Sequence, residues 1–197
     1  MTEQALHESI RQMTEGSKEA FRIVYDQSKE EVFRTVSLLV NNKQDVNDVV
    51  NEVYMELCKS LSKYDFNKPF RSWLTGLTIR QVHNWNRKLW RRFRLHERSV
   101  RMELHEPSVD AESLYLRNEH RSELIQLVQG LNYKHRCVIV LRYYHEYSFE
   151  EIAELLGIPV GTVKSRHHTA LNKLRQQSTN PITDDEGGFS TCPSKIN

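Results

Sequence analysis

The sequence predicts an all-α protein built as two small helical domains joined by a flexible linker. Apolar residues recur mostly at three- and four-residue steps, the period that gathers them on one helical face. Gly and Pro number only 7 and 5 in 197 residues, too few for a turn-rich sheet architecture. A central acidic stretch, where the periodicity fails, separates two stretches where it holds.

In chain order, Leu6, Ile10 and Met13 fit a short first helix ending near Gly16. Phe21 and Val24, then Val32, Phe33, Val36, Leu39 and Val40, fit one broken helix or two successive ones, with Asn41 and Asn42 marking a turn. From about Gln44, an apolar stripe runs through Val46, Val49, Val50, Val53, Tyr54, Leu57 and Leu61. Asp45, Asp48, Asn51, Glu52 and Glu56 lie mainly off that stripe, which gives one amphipathic helix an acidic outer side. A short loop, Asp65 to Pro69, leads into a second long helix carrying Phe70, Trp73, Leu74, Leu77, Trp85 and Leu89. Trp73 and Trp85 fall on its apolar stripe and are read chiefly as core. Residues 1–95 can close the first helical domain.

After Leu95, Pro107 and the acids Glu103, Glu106, Asp110 and Glu112 argue against a continuous packed helix. Residues 96–117 are therefore the expected linker. Helical patterning returns with Leu124, Ile125 and Val128, breaks at Gly130, and resumes with Cys137, Val138, Val140 and Leu141, opening a second domain over residues 118–177. The tail, 178–197, holds Pro181, Gly187, Gly188 and Pro193 and reads as disordered.

A formal net charge of +2 says little about partners by itself, but the basic residues are concentrated. Arg80, Arg87, Lys88, Arg91, Arg92, Arg94, Arg98 and Arg101 fall in one segment opposed only by Glu97. Cys58, Cys137 and Cys192 are odd in number and outside any CxxC, so neither a disulfide framework nor a thiolate metal site is suggested. The chain has no HExxH, P-loop, GxGxxG or GxSxG, and its 9 histidines are scattered. No enzyme, cofactor, metal or small-molecule substrate is expected. The polar N-terminus and the lack of a long apolar run point to the cytoplasm.

The strongest local motif is a helix-turn-helix from Phe149 to His168. In its first helix Ile152, Leu155 and Leu156 are expected inside, with small Ala153 at the crossing and Gly157 at the turn. Ile158 plugs the corner, Pro159 pre-sets a helix start, and Val163, Ala170, Leu171 and Leu174 face the core. Thr162, Lys164, Ser165, Arg166, His168 and Thr169 remain to meet a DNA major groove, with Arg166 suited to guanine. His167 falls on the inward face and is read as a packing residue. Two helices at a glycine turn also occur as plain packing units, and a stand-alone DNA-binding regulator needs nothing more than this second domain.

Three segments in order and spacing, DVNDVVNEVYMEL, FRSWLTGLTIRQVHNWNRKLWRR and RCVIVLRYYHEYSFEEIAELLGIPVGTVKSR, resemble the extracytoplasmic-function sigma factors of bacterial RNA polymerase. The likeness spans most of Ser17 to Arg175. It implies sigma region 2 before the linker and region 4 after it. It also implies docking of the Asp45–Leu61 helix on the clamp helices of core RNA polymerase, through Asp45, Asp48, Asn51, Glu52 and Glu56. Without the resemblance, those acids read as an ordinary solvated face.

The loop and following helix match the part that captures the minus-ten element of promoter DNA. Phe66, Asn67 and Asn84 would line a pocket for an unstacked base, and Arg80, Arg87, Lys88, Arg91 and Arg92 would track phosphates. The recognition helix would read the minus-thirty-five element as duplex. Here the chain departs from the common pattern, with His167 for an aliphatic residue and Thr169 for a basic one. The linker acids are implied either to mimic nucleic acid near the polymerase active centre or to serve as a spacer. An anti-sigma protein, often membrane-tethered in this family, is the implied inhibitor.

Overall fold

A single unbroken second helix is the first departure from the sequence reading. The computed structural model describes residues 3–99 and 119–177, with side chains over 5–92 and 124–177. The expected tail, and all of the expected linker beyond residue 99, lie outside the described residues. Eight α-helices and short 3-10 or π turns make up the described chain: α1 (Glu3–Thr14), α2 (Lys18–Leu39), α3 (Val46–Ser60), α4 (Phe70–Ser99), α5 (Glu119–Gly130), α6 (Tyr133–Ile139), α7 (Phe149–Leu156) and α8 (Val160–Gln177).

Helix α2 continues through the polar run Asp26–Glu31 because its polar residues are served locally. Ser17 caps its start by accepting from the Ala20 N–H at 3.2 Å, and buried Ser28 donates to the Val24 carbonyl at 2.7 Å. The Tyr54 hydroxyl lies 2.9 Å from Ser28 Oγ, so the hydroxyl that interrupts the apolar stripe finds its partner on α3. Val24, Val32, Val36 and Leu39 from α2 meet Val49, Val53 and Leu57 from α3, and Leu74, Leu77 and Val82 from α4, in one buried core. Helix α4 also passes the expected domain boundary at residue 95 and continues to Ser99.

The second domain is ordered around its turns. Asn132 accepts from the His135 N–H at 3.0 Å to start α6. A π turn over Val140–Tyr144 follows, and Glu146 takes the left-handed conformation at φ 61°. In an L-residue that conformation costs roughly 1–2 kcal/mol. It turns the chain so that both neighbours, His145 and Tyr147, are buried. Ser148 and Glu151 then form a reciprocal capping box at the head of α7, and Gly157, at φ 64°, ends it.

Ile152, Ala153, Val163, Ala170 and Leu174 are buried as the helix-turn-helix pattern required. Leu155 and Leu156 are only half-buried. Leu155 turns toward α4, where a Cβ placed on Gly76 would meet its Cγ at 3.8 Å. His167 is the packing residue its register predicted. Its ring stacks on Tyr143 with centroids 5.7 Å apart, its Nε2 lies 3.1 Å from the Tyr143 hydroxyl, and Phe149 meets it edge-on. Burial, with Arg142 and His168 nearby, lowers its pKa.

Two consequences are measurable. Replacing Ser148 by Ala removes one capping acceptor and should lower unfolding free energy by about 1 kcal/mol in denaturant titration. Because the folded state lowers the pKa of His167, it binds fewer protons than the unfolded state. The helix-turn-helix therefore has its full stability above the unfolded histidine value near about 6.5 and loses stability as pH falls through it. His167→Ile should flatten that slope in thermal melts between neutral and mildly acidic buffers. An unchanged slope assigns it to other groups.

Candidate nucleic-acid interface

Helix α4 carries the basic stripe along its solvent side. Arg80, Asn84, Arg87, Lys88 and Arg91 recur at three- and four-residue steps, which puts them on one face, and with Arg92 they are all exposed. Across the helix from this face Thr78 and Val82 are buried, so the helix cannot roll its cations away from solvent. The register that fixes the core thereby fixes the charges. Trp73 and Trp85 are half-buried rather than fully interior, and Trp90 is exposed.

The loop before α4 is structured by aromatic contacts. Phe66 lies half-buried against Tyr64, with centroids 4.9 Å apart, meets His7 edge-on, and has the Arg11 guanidinium over its ring. Asn67 is exposed, and its side-chain amide donates to Asp65 Oδ1 at 3.0 Å. Phe66 and Asn67 thus sit beyond the N-terminal end of α4, and Asn84 sits midway along it. Sequence reasoning grouped the three, but the helix length separates Asn84 from the loop.

On α3 the acidic candidates divide. Asp45 Oδ2 accepts from the Trp85 indole N–H at 3.2 Å, and Glu52 lies 3.8 Å from Lys88 Nζ. Both therefore help hold α3 against α4, although the exposed Glu52–Lys88 pair contributes little. Asp48 and Asn51 are exposed and Glu56 half-buried. Met55 shares their side of the helix at half exposure, an apolar residue that the charge pattern had hidden.

On α8, Lys164, Ser165 and His168 are exposed, and Thr162, Arg166 and Thr169 partly covered. Thr162, Ser165, Arg166 and Thr169 share one face by their spacing, with Lys164 and His168 beside it. Thr169 donates its hydroxyl to the Ser165 carbonyl, and His168 Nε2 lies 3.0 Å from Asn172 Nδ2. Among the described residues no cluster of His, Cys, Asp and Glu could hold a metal ion, and no helix is long and apolar enough to cross a membrane.

The two halves are in contact. Arg166 and Arg80, one from each expected DNA-reading element, line the same cavity together with His83, Lys134, Gly76 and Leu155. At its centre the junction is polar. His145, 4% exposed, lies 2.9 Å from Thr35 Oγ1 through Nε2, and its Nδ1 stands 3.2 Å from Glu31 Oε1, off the ideal hydrogen-bond line. Arg71 Nε donates to the same carboxylate at 2.9 Å. Burial pushes the Glu31 carboxyl up, but its contacts with His145 and Arg71 outweigh this and hold it below its usual value. None of these three positions was legible as a site in the sequence, because each pairs across more than 35 residues.

Family comparisons agree with this division. Residues 24–92 match the model of Sigma-70 region 2, and residues 127–176 match that of Sigma-70, region 4. The ECF RNA polymerase sigma factor SigW of Bacillus subtilis is 28% identical over 182 residues, covering 89% of this chain and 97% of its own. The ECF RNA polymerase sigma-E factor of Escherichia coli is 27% identical over 177 residues, covering 84% and 88%. Among solved structures, the sigma factor RpoE from Bartonella quintana, crystallised with the anti-sigma factor NepR, superposes with a TM-score of 0.63 at 18% identity, covering 80% of this chain and 95% of that one. CnrH, in complex with the cytosolic domain of CnrY, superposes with a TM-score of 0.58 at 22% identity, covering 85% and 93%. With both region matches in order and relatives aligned over nearly their whole lengths, the chain belongs to the extracytoplasmic-function sigma factors, which direct promoter-specific transcription initiation.

Proposed function

We propose that this sigma factor divides its work by helix face: α3 docks on core RNA polymerase, α4 with its preceding loop captures the minus-ten element, and α8 reads the minus-thirty-five element. The observation that carries this reading is the fixed register of α4. Its core contacts on one side hold four cations and Asn84 on the other, with Arg92 beside them, a track suited to phosphates beside a melted strand.

On α3, Asp48, Asn51, Glu52 and Glu56 with Met55 form a mixed acidic and apolar strip, in which Met55 supplies the area to desolvate and the acids supply orientation. Asp45 contributes through the Trp85 indole, by fixing α3 on α4. Phe66 would leave its ring cluster to stack on a base, with Asn67 beside it. On α8, Arg166 reads a base edge while Lys164, Ser165, His168, Thr162 and Thr169 fix the helix on the duplex. The chain works in the cytoplasm, where polymerase and promoters are, with no catalytic role of its own. An anti-sigma protein holds it inactive, a reading supported by the two solved relatives, each of which was captured with such a partner or a cytosolic domain.

Run-off transcription with purified core polymerase tests this division. Initiation at a cognate promoter should require the protein. Arg166→Ala should cost about 1–3 kcal/mol in minus-thirty-five discrimination, whereas Arg91→Ala or Arg92→Ala should weaken all promoters alike and reduce the salt slope by about one each. Equal sequence-selective losses from all three would contradict it.

A further inference from the structure

Where α4 and the turn at residues 41–42 face α6, α8 and the turn at residues 130–132, the molecule holds an open cavity of about 1190 Å³. That is somewhat above the roughly 300–1,000 Å³ of small-molecule sites, in keeping with a groove open to solvent. Its lining is cationic. Arg92 of α4, Arg136 of α6 and Lys173 of α8 converge on it, and no Asp or Glu is among the described residues that line it. The chain as a whole nearly balances, with 28 Lys and Arg against 26 Asp and Glu, so three cations without a carboxylate are a local excess.

Arg136 makes that excess costly. It is 3% exposed, its terminal nitrogens donate to the Leu131 carbonyl at 2.9 Å and the Leu39 carbonyl at 3.5 Å, and its Nε has no partner. The carbonyls at a helix end carry only about half a charge together. No carboxylate among the described residues pairs with Arg136, and burial lowers its pKa. A buried cation in this state is stabilised by an anion brought to it.

Neutral groups on the wall donate as well. Asn42 and Asn132 commit their side-chain oxygens to the backbone N–H groups of Gln44 and His135, both at 3.0 Å, which leaves each amide its N–H donors. Asn86, Leu89 and Trp90 share one face of α4 by their spacing and bring a different character. Trp90 is 61% exposed, and its indole offers a broad planar surface on the same cavity as the cations.

We propose that this cavity binds a purine nucleotide bearing two or more phosphates, which Arg92, Arg136 and Lys173 hold while the base stacks on Trp90. Charge favours a free nucleotide over a strand. Three cations from three helices meet at one place and match the roughly three negative charges of a diphosphate near neutral pH, whereas a strand brings about one per nucleotide. Stacking on an aromatic face accepts any base, and a purine covers the most of an indole. Arg92 and Trp90 belong to the first domain, Arg136 and Lys173 to the second, so the nucleotide binds the arrangement in which they meet and neither domain alone.

Titration calorimetry of the full-length protein with adenosine 5′-diphosphate, with pyrophosphate and with a short oligothymidylate tests this. Binding is read without polymerase or promoter, so it stands or falls apart from the sigma reading. The diphosphate should bind one to one with a Kd of about 100 µM or below. Lys173→Ala should weaken the nucleotide and pyrophosphate alike, by about tenfold. Trp90→Ala should weaken the nucleotide by about tenfold and leave pyrophosphate unchanged. Both side chains are exposed, so neither change opens the core, and circular dichroism checks that helical content is kept. No binding of the nucleotide at about 1 mM, or equal affinity in the parent and both variants, overturns the proposal. Tighter binding of the oligothymidylate than of the nucleotide, lost in Trp90→Ala, gives the cavity to a strand and overturns it too.

Discussion

The packing of α4 constrains everything else in this molecule. One side of the helix, through Leu74, Leu77 and Val82, is locked in the first core. Its solvent side carries the cations. A third side carries Ser72, Thr75, Gly76 and the Ile79 carbonyl, which accepts from the Tyr133 hydroxyl, and the second domain seats Tyr147, Leu155 and Tyr133 there. Because the helix is rigid, rotating any one of these faces would displace the other two. At Gly76 an added Cβ would make ordinary van der Waals contact with Leu155 at 3.8 Å, so a longer side chain there would crowd it.

The two kinds of contact on α4 differ in energy as well as in place. Its core face is aliphatic and buried, with stability that scales with apolar area and is lost only on unfolding. Its seam with the second domain mixes apolar contacts, Leu155 and Tyr133 against Gly76 and Ile79, with hydroxyls, a carboxylate, an imidazole and guanidinium groups. Each polar group must find a partner while buried, and each finds one in water once exposed. The first makes a folded domain, and the second joins that domain to its neighbour. A helix of this kind joins folding to function, since the residues that hold its core also aim its cations.

Much of this was legible in the sequence because it is local. The heptad-like stripe of α3, the Ser148–Glu151 box, the Gly157 turn and the inward register of His167 all follow from spacings of a few residues. The unbroken α2 was not legible, because the partner that satisfies Ser28 is Tyr54 on another helix. The half-burial of Leu155 was missed for the same reason: its partner is Gly76, far away in the chain. Of the candidate sites, Arg80, Arg87, Lys88 and Arg91 share one exposed face of α4, while the side chains of Arg94, Arg98 and Arg101 lie outside the described residues. Asp45 and Glu52 proved to be tied to Trp85 and Lys88, and Met55 was overlooked because an isolated apolar residue among acids gives no periodic signal. The docking of the domains is set wholly by long-range pairs, and nothing in either domain's own pattern announces it.

The distance between the two halves, measured before and after promoter engagement, is the most direct test of a sigma factor that reads two elements with two domains seated on one helix. Spin labels on exposed Glu19→Cys of α2 and Gln176→Cys of α8, with Cys58 and Cys192 replaced by Ser, report it by double electron–electron resonance. The structure predicts one narrow distribution in the free protein. On a promoter with core polymerase that distribution should lengthen by tens of ångströms, in keeping with roughly 85 Å between the two elements. One unchanged distance in both states would contradict the account.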